Sequence, residues 1–318
     1  MSFDVVTVGE AMLRLGVAAG AKLEKAERLD VHVAGAEANT AVALAQLGRS
    51  VTWLSRLPDS PLGRRVAREL QANGVDISLV RWVPETRMGV YYVELATPPR
   101  QVKVVYDRAG SAASDMVAED FPTDVIAAAR IVHLSGITPA LSEGCRRLSF
   151  EIAEQARAGS GRLTVDVNYR SKLWSPEAAN ECLTQLATGA DLVALTQEDA
   201  RDVFGLDGDP ADVVTEARKR LEAGIVVLTL GDRGSVWDSG DASGQVDPQP
   251  TEIVDRLGAG DAFMAGVIDG LLDNDLEIGL RRGTALASLA LGSHGDHVLT
   301  TRDEVDRLLE GGGRAVDR

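Results

Sequence analysis

The run Asp255-Arg256-Leu257-Gly258-Ala259-Gly260-Asp261-Ala262-Phe263 sets two glycines around an alanine, then an acid, then a long apolar helical pattern. Small residues let a backbone turn tightly and approach a ligand. The unpaired N–H groups of a helix start, with the helix dipole behind them, favour an anion. From spacing alone Asp261 has two readings. It is a capping or dipole-stabilising carboxylate, or a general base that takes a proton from an alcohol attacking a bound phosphate. Two common phosphate motifs are absent: no GxxxxGKS/T run occurs, and Phe263 stands where a dinucleotide fingerprint needs its third small residue.

Such a site needs a frame. Short apolar runs at Val5–Val8, Val51–Leu54, Ile131–Leu134, Leu163–Val167, Leu192–Leu195 and Ile225–Leu230 read as strands. Helical patterns lie between or after them: from Ala38 to Leu47, Leu62–Asn73, Glu143–Ala158, Pro176–Ala187, Glu198–Phe204, Val213–Leu221, Ala259–Leu272, Ile278–Leu291 and Asp303–Leu309. This alternation predicts an α/β fold, a doubly wound, mostly parallel sheet with helices on both faces. Met88–Leu95 and Val102–Tyr106, separated by Thr97-Pro98-Pro99-Arg100, read instead as a hairpin with a longer loop. One domain spanning 1–318 is expected, with a small β-sheet lid inserted from about 13–34 and 86–110 and a fraying tail at Gly311-Gly312-Gly313.

Composition narrows the partners. Apolar residues are 45% and charged residues 25% of the 318, ordinary globular usage, and a chain of that length buries a core without staples. A net charge of −15 argues against nucleic acid and anionic membranes, which need a basic surface. Cys145 and Cys182 lie far apart, outside any CxxC pattern, and suit a reducing cytosol. The start, Met1-Ser2-Phe3-Asp4-Val5-Val6, lacks the basic and apolar regions of a signal peptide, and no run is long enough to span a membrane. The expectation is a soluble cytoplasmic protein.

The Gly258–Phe263 run near one end, paired with Ala34-Gly35-Ala36-Glu37-Ala38-Asn39-Thr40-Ala41 near the other, resembles the two signatures of the ribokinase-like (phosphofructokinase-B type) carbohydrate kinases. The resemblance runs from Val5 to about Leu309. It implies ATP-dependent phosphorylation of a sugar hydroxyl, with Asp261 as base and the amides of Gly258, Ala259 and Gly260 as anion hole. It also implies a nucleotide loop at Thr229-Leu230-Gly231-Asp232-Arg233-Gly234. Asn168 matches a polar contact to ATP or to a water on its magnesium, and Gly231 would lie near the phosphates. The chain departs from the family at Thr196-Gln197-Glu198-Asp199, where an Asn-x-x-Glu is common. Asp199 would replace the glutamate in organising Mg²⁺ through water. Arg256 stands where many members carry a small hydroxyl residue. The loop of His294 and His297 would border the adenine and leaves room for a monovalent cation. His133, in an apolar strand, reads as a core residue.

Tyr106 to Ser114, Asp166 to Trp174 and His133 to Ser142 are together similar to 2-keto-3-deoxygluconate kinases. That likeness implies a keto-deoxy acid phosphorylated at its 6-hydroxyl and held by Gly35, Tyr91, Tyr106, Arg108, Ile137 and Arg170. Arg108 and Arg170 would meet the carboxylate and keto oxygens, because a planar guanidinium matches two oxygens. Other readings stay open: a kinase for fructose, ribose, 5-keto-2-deoxygluconate or the galactonate epimer, a nucleoside kinase, or a non-catalytic sugar-acid sensor. The lid's exposed sheet edges suggest a homodimer.

Overall fold

The computed structural model describes residues 3–96 and 100–311. Thr97, Pro98 and Pro99 of the hairpin loop, and Gly312 and Gly313 of the tail, lie outside the described residues. The main sheet has eight strands: β1 (Val5–Val8), β4 (Val51–Leu54), β9 (Ile131–Ser135), β10 (Arg162–Asp166), β11 (Leu192–Thr196), β12 (Ile225–Thr229), β13 (Ser235–Asp238) and β14 (Ser243–Val246). Their order is β14-β13-β12-β11-β10-β9-β1-β4. All neighbours pair in parallel except at β12–β13 and β13–β14. That antiparallel pair at the edge was not read from the sequence, because its strands are short and β14 is polar and exposed.

The central strands are buried on both faces, as the unbroken apolar runs require. One face is covered by α1 (Ala36–Gln46), α2 (Pro61–Ala72), α8 (Ala259–Leu272), α9 (Leu276–Leu291) and α10 (Arg302–Leu309). The other is covered by α3 (Thr123–Ala128), α4 (Glu143–Ala158), α5 (Pro176–Ala187), α6 (Gln197–Phe204) and α7 (Pro210–Leu221). The chain steps from β1 outward to β4, then back past β1 to β9. This opens a crevice at the carboxyl ends of β1 and β9, where open α/β sheets place their ligands.

A second sheet joins β2 (Met12–Val17), β3 (Asp30–Ala34), β7 (Val90–Glu94) and β8 (Lys103–Asp107) in the order β3-β2-β7-β8. Its inner face packs Met12, Ala34, Tyr91 and Val93 together, with Tyr106 and with Leu257, the residue before Gly258. A two-stranded ribbon of β5 (Arg56–Pro58) and β6 (Arg81–Val83) completes the strands.

Most helices begin with a capping side chain, such as Ser60, Ser142, Ser175, Asp209 and Thr301. Two begin on a glycine with none: α1 at Gly35 and α8 at Gly258. Behind its start, α8 lies directly against α9. A Cβ on Gly266 would come within 2.2 Å of the Gly283 nitrogen, and one on Gly270 within 2.2 Å of the Gly279 Cα. Backbone meets backbone there, so no side chain can be inserted without moving a helix. Gly266→Ala is therefore expected to destabilise the protein by ~1–3 kcal/mol, read as a lower urea midpoint at unchanged slope.

Candidate active site

Gly258 opens α8 in the left-handed region, with φ 84°. A Cβ there would lie 2.1 Å from the carbonyl oxygen of Asp296, so both space and dihedral select glycine. Ala259, Gly260 and Asp261 follow as the first turn, and Gly260 faces open solvent. The N–H groups of this turn have no intrahelical acceptor, by the geometry of any helix start.

The Asp261 carboxylate accepts a 2.6 Å hydrogen bond from Asn39 Nδ2, and Thr40 Oγ1 donates to the Asp261 carbonyl at 3.2 Å. Both donors stand on α1. That helix begins at Gly35, where a Cβ would meet the Glu10 carbonyl oxygen at 2.2 Å. The two glycine-started helices thus meet end to end across the crevice. Burial pushes Asp261 up to about 7; Asn39 and the charge of Arg170 pull it down, while Asp296 and Glu37 push it further up. A carboxyl near neutrality suits a general base.

Two more carboxyls lie at the strand ends. Asp166 ends β10, and burial, with Asp261 and Asp199 nearby, raises it to about 8. Asn168, buried and left-handed at φ 40°, donates to Asp166 at 3.0 Å. Asp199 is buried in a capping box with Thr196, at 2.9 and 3.2 Å, and burial raises its pKa. One of its carboxylate oxygens is therefore engaged at the start of α6. The charge of Arg170 acts on Asp166, Asp199 and Asp261 alike, and its guanidinium is exposed. Among the described residues no three His, Cys, Asp or Glu side chains converge as a metal cluster. The carboxyls of Asp166 and Asp199 at the strand ends are oxygen donors of the kind that suits a divalent cation carried on a nucleotide's phosphates.

The expected nucleotide loop follows β12. Thr229 ends the strand, Gly231 and Gly234 are left-handed at φ 64° and 82°, and the Leu230 amide closes the turn on the Gly234 carbonyl at 2.8 Å. Thr229 pairs with Thr196, so this loop borders the same sheet edge as Asp199.

The second sheet supplies the remaining candidates. Tyr106 is flanked by Tyr91 at 5.6 Å, by the Arg108 guanidinium at 5.5 Å and by Lys172 Nζ at 5.7 Å. Lys172 Nζ also donates to the Val104 carbonyl at 2.6 Å, tying the loop after β10 to β8. Two of these residues already have partners within the chain. Arg108 is buried and paired with Glu10, its Nε donating at 2.8 Å, and Ser111 Oγ donates to the same carboxylate at 2.6 Å. The Arg108 charge is thus already countered. Tyr91 donates its hydroxyl to Asp296 at 2.8 Å, and burial with that carboxylate raises its pKa. Only its ring is left for the cleft. Ile137 is buried beside Ser135 at the end of β9.

Sequence reasoning assigned no role to Asn39, Glu37, Glu10, Asp166, Lys172, Arg14 or Asp296. Glu37 is buried and accepts from Ser135 Oγ and Thr138 Oγ1, both at 2.7 Å, bridging α1 to β9; burial raises its pKa. The available signal was a charged or amide side chain inside an otherwise small and apolar run, as in Gly35-Ala36-Glu37-Ala38-Asn39. His133 is a core residue, 3.0 Å from Thr164 Oγ1 and held neutral by burial, which lowers it to about 4.

Residues 2–302 match the family described as pfkB family carbohydrate kinase. A 2-dehydro-3-deoxygalactonokinase of Haloferax volcanii is 40% identical over all of both chains. A 2-dehydro-3-deoxygluconokinase of Thermoproteus tenax is 31% identical over 96% of this chain and 94% of its own. The crystal structure of a 2-dehydro-3-deoxygluconokinase from Thermotoga maritima superposes with a TM-score of 0.90, at 30% identity, covering 98% of this chain and all of the other.

The site makes four linked expectations. Asp261→Asn keeps the shape and removes the base, so kcat should fall by ~10²–10⁴ with sugar KM largely kept. A carboxyl whose folded pKa lies above its unfolded value costs stability as pH rises through the folded value. The same variant should therefore melt higher than the native protein above about pH 7. In the native enzyme kcat/KM should fall as pH drops through about 7, because only ionised Asp261 accepts a proton. Arg170→Ala removes a charge that lowers that pKa and should move the acid limb to higher pH in a pH–rate profile.

Proposed function

The chain belongs to the pfkB family of carbohydrate kinases, and we propose that it moves the γ-phosphoryl group of ATP to the terminal 6-hydroxyl of a 2-keto-3-deoxy-hexonate. The observation that carries this reading is the meeting of α1 and α8. Asn39 holds the Asp261 carboxylate beside the open amides of Ala259 and Gly260. Asp261 takes the hydroxyl proton as the sugar oxygen attacks the γ-phosphorus. The bond from phosphorus to the β-phosphate bridging oxygen breaks, and ADP leaves. The Gly258–Asp261 amides receive the charge that develops on the transferring group. Magnesium bound to the nucleotide would supply further neutralisation, and Asp166 and Asn168 at the end of β10 would meet its hydration shell.

An acid substrate fits the charge arrangement. Arg108 is countered by Glu10, whereas Arg170 is exposed at the mouth of a cleft that holds Asp166, Asp199 and Asp261. Arg170 is therefore the group with charge to spare for a substrate carboxylate. Arg108, Tyr91 and Tyr106 form the wall that the lid presents. The galactonate epimer is a specific second reading, favoured by the 40% identity over the full length of the Haloferax volcanii enzyme. The lid's edge strand β8 leaves Val105 exposed, and a second copy pairing there would cover it.

A coupled assay with ATP over both keto-deoxy epimers, fructose, ribose and adenosine tests the reading. Turnover should concentrate on the two acids. Measured on the alkaline plateau, above the acid limb, Arg170→Ala should cut kcat/KM for the acids by ~10–10²-fold and leave any neutral-sugar activity within about threefold. Equal losses on acids and neutral sugars would sink carboxylate recognition. Light scattering should report twice the chain mass.

A further inference from the structure

Arg14 sits in β2, within the apolar run Met12–Val17, and is only 2% exposed. Its guanidinium divides between two carboxylates: NH1 donates to Asp296 at 2.8 Å and NH2 to Asp255 at 2.5 Å. Both acids adjoin the anion hole. Asp255 accepts from the Leu257 amide at 3.2 Å, one residue before Gly258, and from the Gly295 amide at 3.4 Å. Asp296 presses its carbonyl on Gly258 and accepts from Tyr91 of β7. One cation from the lid therefore grips the segments on both sides of the α8 start.

We infer that Arg14 is a positioning residue: it is the built-in cation that holds Asp255 and Asp296 so that the Gly258–Asp261 amides converge, and it carries the seating of the lid to that turn. The monovalent ion for which the resemblance leaves room does not fit between Asp255 and Asp296, because those two carboxylates already share a guanidinium. Turnover should then need no added potassium. The inference rests on the reading that phosphoryl transfer occurs at Gly258–Asp261, and its test includes a readout that does not depend on turnover.

Arg14→Met empties a charged space between two buried acids, and Arg14→Lys keeps the charge but loses the fork. Wild-type rate should be flat from zero to high potassium. Arg14→Met should lose at least ~10-fold in kcat with KM for ATP changed less than about threefold, and added potassium or guanidinium ions should recover part of the loss. Arg14→Lys should fall between. Amide hydrogen exchange across 257–262 should speed up by at least ~10-fold in either folded variant, with β10 and β11 unchanged. Should Arg14→Met fail to fold, Arg14→Lys decides. Exchange at 257–262 equal to wild type, a folded variant with wild-type kcat, a loss that neither ion relieves, or potassium activation of the wild type would each overturn the proposal. A wild type that turns over no sugar acid counts against the proposed function alone, and the exchange data still judge Arg14.

Discussion

A helix start left without a capping side chain, beside a carboxyl withdrawn from water, is the constraint on which the rest of the molecule depends. Most of the chain's other helices are capped by Ser, Thr or Asp, which stabilises a helix end. At Gly258 it uses a left-handed glycine jammed against the Asp296 carbonyl, and the orphan amides face the cleft. Such a turn cannot hold itself. It is kept in place by Asn39 and Thr40 from α1, by the glycine-lined contact of α8 with α9, and by Asp255 and Asp296.

The charges around it follow one logic. Asp166, Asp199, Asp261 and Glu37 all have pKa values raised, chiefly by burial, so the cleft holds its carboxyls back from ionising. A protein built only for stability would neutralise these groups internally. Instead Arg108 and Arg14 are spent on Glu10, Asp255 and Asp296, while Arg170 stays exposed. The arrangement suits a cation carried in on a nucleotide, and it leaves the exposed Arg170 to meet an anionic sugar. A net charge of −15 makes a local arginine more important still, since the global field repels anions.

Much of this was legible before any coordinates. The unbroken apolar runs marked the parallel strands because burial on both faces leaves no polar positions. Glycine next to alanine and aspartate marked the start of α8 because few other residues permit that turn. The β13–β14 hairpin escaped because β14 is an exposed edge strand, Ser243–Val246, with no apolar face to advertise. The strands of the second sheet on the amino-terminal side were only faintly visible, since glycines and the lone Arg14 interrupt their pattern.

Residue type and local spacing by themselves determined which groups could do chemistry: an acid in a first helical turn, small residues before it, arginines past strand ends. These are properties of neighbours along the chain. Partnership across the chain was decided by tertiary structure alone. Arg108 and Arg170 look alike in sequence, yet one is bound to Glu10, 98 residues away, and the other is open. Arg14 reads as an oddity in a strand until Asp255 and Asp296, more than 240 residues on, close around it. The physical reason is that a charge takes its meaning from what shares its low-dielectric surroundings, and folding chooses those companions.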